Sequence, residues 1–129
     1  MSEVVAVLDA SALLALLQAE PGAARVAAAL PRAAVSSVNL SEVVAKLADG
    51  GLPAEAVRAS LAGLDLDVRP FDEGLAYEAG ELRPATRAQN LSLGDRACFA
   101  LARRLGAAAL TADRAWAGVQ VGVTVEVVR

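Results

Sequence analysis

The aliphatic run at residues 4–8, Val-Val-Ala-Val-Leu, constrains the fold of this chain more than any other feature. The run has no alternation of polar and apolar positions, so it favours a strand that is covered on both faces. Such strands are typical of parallel sheets with helices packed on both sides. Asp9 ends the run, at the point where a strand of this kind would turn towards a helix.

The rest of the chain alternates between strand-like and helix-like segments. Further strands are predicted at residues 33–37, 66–70, 107–111 and 123–128. Helices are predicted at residues 12–18, 23–30, 40–48, 53–62, 73–82 and 92–105, with a loop at 83–90 and a turn or short helix at 113–116. Alternation of this kind predicts an α/β fold with a mainly parallel central sheet flanked by helices, and the length suits a single domain over residues 1–129.

Composition excludes several classes of protein. An apolar fraction of 56% excludes disorder, and the absence of histidine removes every mechanism that needs an imidazole base or an imidazole metal ligand. The single cysteine, Cys98, lies in an apolar run and is interpreted as a buried, inert thiol. No stretch is long and apolar enough for a membrane span, so we expect a cytoplasmic protein that does not engage a membrane.

Each acidic residue next to a predicted strand or helix start has a simple structural explanation. Asp9 and Asp113 could cap the helical segments that follow them. The segments Asn39–Glu42 and Ser92–Asp95 both fit capping boxes, in which the acid bonds back to the backbone of the capping residue. Taken singly, each acid is therefore explained by local structure.

Taken together, the same four acids predict a metal site. The carboxyl ends of parallel strands meet at one edge of a sheet, where α/β folds place their ligands, so Asp9, Glu42, Asp95 and Asp113 are expected to converge there. Like charges at short range need raised pKa values or a bound cation. Carboxylates without His or Cys suit Mg²⁺ or Mn²⁺, and ions so bound can promote hydrolysis of a phosphate ester.

Four sequence blocks resemble a known family in their order and spacing. They are Val7–Leu14, Asn39–Val43, Leu91–Ala97 and Leu110–Asp113. Together they resemble the PIN-domain ribonucleases, particularly the VapC-type toxins of toxin-antitoxin pairs. The resemblance spans nearly the whole chain and implies a Rossmann-like fold, a Mg²⁺- or Mn²⁺-dependent endoribonuclease acting on RNA, a homodimer, and inhibition by a cognate antitoxin protein.

The resemblance also assigns residues. Asp9, Glu42, Asp95 and Asp113 match the catalytic and metal-binding acids of the family, and Ser11 and Thr111 match its accompanying hydroxyls. The hydroxyls would support the carboxylates, although each could equally bond to the local backbone. Residues 114–118 contain no further acid, unlike some relatives, so we expect one tightly bound metal ion.

An RNA substrate, which is negatively charged, would have to bind to a protein whose own formal net charge is −3. The arginines expected near the acidic edge are Arg83, Arg87, Arg96 and Arg114. A guanidinium group binds phosphate in a bidentate manner, although ordinary solvated surface charge would also explain these residues. With an aromatic content of 3%, base stacking is not expected to select the RNA sequence.

Partner contacts are suggested by two apolar stripes. One comprises Leu13, Leu14 and Leu17, the other Val43, Val44 and Leu47, and either could face a dimer mate or an antitoxin helix. Core packing explains the same residues.

Three other classes of protein are alternatives to the nuclease. A catalytically inert PIN-like module that binds RNA or a protein is the main alternative. A receiver domain would need a lysine at a late strand end, but the only lysine, Lys46, lies within a predicted helix. A haloacid-dehalogenase-type enzyme would need an acid two residues after Asp9, where this chain has Ser11.

Overall fold

The computed structural model describes residues 3–129, so the first two residues of the predicted domain lie outside the described part. Its strands form one sheet with the order β3-β2-β1-β4-β5, and every neighbouring pair is parallel. The strands are β1 (Ala6–Leu8), β2 (Ala33–Ser36), β3 (Asp67–Arg69), β4 (Ala108–Thr111) and β5 (Val125–Val127). The predicted α/β class with a parallel central sheet is confirmed.

Helices connect and cover these strands. The α-helices are α1 (Ala10–Leu17), α2 (Ala23–Ala29), α3 (Ser37–Asp49), α4 (Ala54–Ala62), α5 (Glu73–Glu81), α6 (Arg83–Thr86) and α7 (Leu93–Leu105). Three short 3₁₀ turns occupy residues 30–32, 87–89 and 114–118. None of the helices within residues 3–129 is long and apolar enough to cross a membrane.

The loop predicted at residues 83–90 is wrong, because this segment forms α6 and a 3₁₀ turn. Pro84 lies in the first turn of α6, where a missing backbone N–H removes no helical hydrogen bond. Thr86 is buried and its hydroxyl donates to the carbonyl of Leu82 at 2.8 Å, which ties the segment to the preceding helix. Asn90 ends it in the left-handed conformation, with φ 51°.

Both faces of the sheet are covered, as the aliphatic run at its centre predicts. Val7 packs in the apolar cluster beneath α5 and α7, whereas Ala6 and Leu8 pack in the cluster beneath α1 and α3. All three residues are buried because β1 is the middle strand. The predicted burial of Cys98 is also confirmed, since it packs in the α7 cluster.

The connections place a switch in strand order next to β1. From β1 the chain passes through α1 and α2 to β2 on one side, whereas β4 lies on the other side of β1. The helices that follow β1 cover one face of the sheet, whereas α5 and α7, which precede β4, cover the other, and this arrangement predicts a crevice at the carboxyl ends of β1 and β4. Asp9 and Thr111 stand at those two ends.

Candidate metal centre at the carboxyl edge of the sheet

Asp9 is the buried centre of the site and caps α1. Its Oδ1 accepts a 2.8 Å hydrogen bond from the backbone N–H of Ala12. The hydroxyl of Ser11 donates to the same carboxylate at 2.8 Å, and the hydroxyl of Thr111 donates to its Oδ2 at 2.6 Å. The capping role and the catalytic assignment are therefore compatible, because the cap fixes the carboxylate at the end of β1.

Burial raises the pKa of Asp9 from 3.8 to about 6. The hydrogen bonds from Thr111, Ala12 and Ser11 oppose this rise because they favour the charged form, and the negative charge of Asp95 adds to it. The Asp9 carboxylate thus sits in a position where negative charge is poorly compensated by the protein.

Ser11 and Thr111 form a bridge between β1 and β4. Their hydroxyl oxygens are 3.1 Å apart, and Ser11 Oγ also accepts from the backbone N–H of Ala112 at 2.8 Å. Both hydroxyls therefore bond to the Asp9 carboxylate. The local-backbone explanation is confirmed only for Thr111, whose Oγ1 accepts from the N–H of Asp113, because the backbone partner of Ser11 is the distant Ala112. Thr111 is fully buried, whereas Ser11 is only partly buried.

Glu42 reaches the edge from the second turn of α3, not from its first. The helix begins at Ser37 and is capped by Ser36, whose hydroxyl accepts from the N–H of Val38 at 3.2 Å. The capping box predicted at Asn39–Glu42 is therefore wrong, because Asn39 already lies inside the helix. Instead the Asn39 side-chain N–H group donates to Glu42 Oε1 at 2.8 Å.

Asp95 stands in the first turn of α7, where the predicted capping box is confirmed. Ser92 Oγ accepts from the backbone N–H of Asp95 at 3.1 Å, and Asp95 Oδ2 accepts from the N–H of Ser92 at 3.0 Å. The acid is only partly buried, so this cap does not remove it from solvent.

The charges of three of the four acids act on one buried thiol. Burial raises the pKa of Cys98 well above its usual range, and the charges of Asp9, Asp95 and Glu42 raise it further. The three carboxylates come from three separate segments of the chain, and each lies close enough to this thiol for its charge to act on it. Asp113 is exposed, and its side chain caps the 114–118 turn through the N–H of Ala115. Its own N–H donates to Thr111 Oγ1 at 3.0 Å.

The donor set fits a hard divalent cation. The ion pairs formed within residues 3–129 use Arg25, Arg69 and Arg104, and none of them includes one of the four acids. The four acids offer only oxygen donors, which suits Mg²⁺ or Mn²⁺. As the side chains stand, no group of three His, Cys, Asp or Glu residues within the described chain is close enough to hold a metal ion, so binding would draw the carboxylates closer.

A polar cleft of about 670 Å³ opens beside this edge. Ser11 is among the residues that line it, and the charged side chains of the cleft are the acids Glu20 and Asp113 and the bases Lys46, Arg114 and Arg129. Sequence reasoning missed Lys46 and Arg129. The spacing of Lys46, four residues after Glu42, could have indicated it, because residues i and i+4 lie on one face of a helix.

Of the four arginines proposed for RNA, Arg114 alone lines this cleft. Arg83 and Arg87 are exposed on α6 and the turn after it. The Nη1 of Arg96 donates to the carbonyl of Ala79 at 3.0 Å, so its side chain joins α7 to α5. The RNA contacts of Arg83, Arg87 and Arg96 stay predictions.

A second, apolar groove of about 730 Å³ runs between α3 and α4. Leu40, Val44, Val57 and Leu61 line it, and Val44 is 39% exposed. The residues of the two predicted apolar stripes differ in their burial. Leu13, Val43 and Leu47 belong to the core, whereas Val44 faces the groove, and Leu14 and Leu17 are partly buried.

Comparison with known proteins identifies the family of this chain and the solved structures that share its fold. The family model of the PIN domain matches residues 6–121. Among solved structures, DNA-bound VapBC from Salmonella typhimurium aligns with a TM-score of 0.74 at 20% identity, over 95% of this chain and 97% of that one. VapBC2 from Rickettsia felis, bound to a promoter DNA fragment, gives 0.73 at 17% identity, over 95% and 98%. A toxin-antitoxin complex from Klebsiella pneumoniae gives 0.69 at 21%, over 88% and 92%. No curated protein sequence matches the chain.

Proposed function

Because this chain belongs to the PIN domain family, we propose that it is a Mg²⁺- or Mn²⁺-dependent endoribonuclease that hydrolyses RNA phosphodiester bonds, and that it acts as the toxin of a toxin-antitoxin pair. The observation that carries the proposal is the carboxylate edge itself. Asp9, Glu42 and Asp95 come from three segments of the chain, their charges all act on the buried Cys98 thiol, and none of them is paired with a cation within residues 3–129. Hydrogen bonds from uncharged groups hold these carboxylates in place but do not neutralise their charge, which leaves it available to a bound cation.

Asp9, Glu42 and Asp95 would hold the metal ion, with Asp113 at the rim. Bound there, the ion supplies alignment of the phosphodiester, activation of a water and neutralisation of charge on the leaving oxygen. The protein contributes the orientation. Ser11 and Thr111 fix the Asp9 carboxylate by direct hydrogen bonds, and the chain provides no histidine that could act as a base in place of activated water.

The cleft beside Asp113 is the proposed path of the RNA strand. Lys46, Arg114 and Arg129 line it, and none of the three forms an ion pair with a described residue. Their charges are therefore available to phosphate groups. Such contacts would position RNA against the edge without selecting a base sequence.

The proposed partners are a cognate antitoxin and a second copy of the chain. Several similar solved structures are toxin-antitoxin complexes, which supports the first. The apolar groove between α3 and α4 offers a surface of the kind that receives an amphipathic helix. The protein would act in the cytoplasm, where its RNA substrate is found.

One experiment tests the nuclease directly. Purified protein is incubated with a mixed RNA pool in Mg²⁺, in EDTA, and as the Asp95→Asn variant, whose amide oxygen can still accept from Ser92. Asp49→Asn is the matched control, since Asp49 is exposed at the far end of α3. We expect cleavage in Mg²⁺ by the wild type and the control only.

The alternative is an inert PIN-like module that binds RNA or a protein without cutting it. The separation of the carboxylates within residues 3–129 is the observation in its favour. Binding of the RNA pool without metal-dependent cleavage would support this alternative over the nuclease, and cleavage that persists in EDTA would contradict the metal-dependent mechanism.

A further inference from the structure

Gly94 occupies a helical position that does not need a glycine for its backbone. It is the second residue of α7, and its φ lies outside the positive range that favours glycine. Alanine is the better helix former at such a position. A reason for glycine must therefore come from the space around it.

That space is filled by the Glu42 carboxylate. A Cβ atom built on residue 94 would overlap all three atoms of this group, Oε1, Oε2 and Cδ. Glu42 therefore lies directly on the first turn of α7, where unpaired backbone N–H groups favour negative charge. The same turn carries Asp95.

Asn39 holds this contact together from the side. It is 1% exposed, and its Nδ2 donates both to Glu42 Oε1 at 2.8 Å and to the carbonyl of Gly94 at 3.1 Å. Both partners can only accept, which fixes the orientation of the amide. One side chain thus ties the Glu42 carboxylate and the start of α7 to each other.

We propose that Asn39 and Gly94 form a clamp that places the Glu42 carboxylate beside Asp95, and that the absence of a side chain at residue 94 is a requirement of the metal centre. Both are positioning residues, because they act through Glu42. The inference rests on the proposed function for its catalytic consequence, whereas the contact between residues 42 and 94 stands independently of it.

The contact predicts that Gly94→Ala separates activity from stability. The overlapping atoms belong to the end of a flexible side chain, so Glu42 can swing away and the fold is kept. We expect an unchanged or raised urea midpoint, a smaller rise of Tm on adding Mn²⁺, and a loss of cleavage on the order of 10- to 100-fold. Gly80→Ala is the control, because Gly80 is in α5 and a Cβ there meets nothing within 4 Å.

A double-mutant cycle tests the clamp without any activity. Gly94→Ala is made in the wild type and in Glu42→Ala, and urea midpoints are compared. We expect a larger gain in the Glu42→Ala background, where no carboxylate has to move, and the same gain in both backgrounds for Gly80→Ala. Equal gains for Gly94→Ala would overturn the clamp, and so would wild-type cleavage and Mn²⁺ response in that variant.

Asn39→Asp gives a second, nearly isosteric test. The new carboxylate cannot donate to Glu42 Oε1 and places a like charge against it, so the Mn²⁺-induced rise of Tm and the cleavage rate are both expected to fall. Wild-type values of both in this variant would overturn the role of Asn39. If the wild type itself neither binds Mn²⁺ nor cleaves RNA, the nuclease proposal fails, while the cycle still decides whether residues 42 and 94 are coupled.

Discussion

Asp9→Asn should stabilise the metal-free protein at neutral pH, even though Asp9 is the centre of the proposed site. Burial raises the pKa of Asp9 from 3.8 to about 6, so the folded protein binds this proton more tightly than the unfolded chain does. The contribution of Asp9 to stability is therefore most favourable below pH 3.8 and is lost as the pH rises through 6. An asparagine removes this penalty because it carries no charge.

The rise in pKa corresponds to about 3 kcal/mol in the free energy of unfolding at pH 7.5. Asparagine can still accept the capping bond from Ala12, but its amide nitrogen cannot accept from the second hydroxyl, which costs about 1 kcal/mol. We therefore expect the variant to be about 2 kcal/mol more stable at pH 7.5. At pH 4.5, where the wild type is largely protonated at Asp9 when folded, the difference should shrink by about 2 kcal/mol.

Urea unfolding in EDTA at the two pH values measures this difference. Asp49→Asn is the control, because the same charge is removed from an exposed position and the free energy should change little. Excess Mg²⁺ should stabilise the wild type and not the Asp9→Asn variant. A variant that is less stable than the wild type at pH 7.5, or a difference in stability that is the same at both pH values, would refute a charge penalty at Asp9.

The remaining predictions concern metal, RNA and the groove. Calorimetric titration of Mg²⁺ should show no more than one tight site, and two tight sites would contradict the single-ion proposal. Lys46→Ala should weaken binding of a non-cleavable RNA and reduce the slope of log K against log salt by about one. The matched control is Arg58→Ala, because Arg58 lines the apolar groove instead. An unchanged slope would show that Lys46 does not contact phosphate. Val44→Asp should leave cleavage of free RNA unchanged but weaken inhibition by the antitoxin. Inhibition is measured by adding antitoxin to the cleavage reaction. Full inhibition of the variant would show that the antitoxin does not bind in the apolar groove.

The local sequence determined the fold class and much of the site. The unbroken aliphatic run before Asp9 requires cover on both faces, and the structure gives β1 that position at the centre of a parallel sheet. The cap at Asp9 and the capping box at Ser92–Asp95 follow from residues three apart, so short-range rules suffice to find them.

Only the tertiary structure decided how Glu42 is held. A serine followed by a second serine moved the start of α3 to Ser37, which put Asn39 and Glu42 inside the helix and changed their bond from a cap to a side-chain contact. Nothing in the local sequence relates Glu42 to Gly94, because the pair meets through the packing of α3 against α7. The same holds for Lys46 and Arg129, which come from distant parts of the chain to one cleft.

The sequence thus shows which four acids are candidates for the site, whereas the fold determines the surroundings of each acid and so what it can do. Spacing along the chain reports which residues share a strand end or a helix turn, since those contacts span a few residues. Burial, by contrast, is set by everything packed around a group, which is why the raised pKa of Asp9 and the exposed position of Asp113 could be read only from the folded chain.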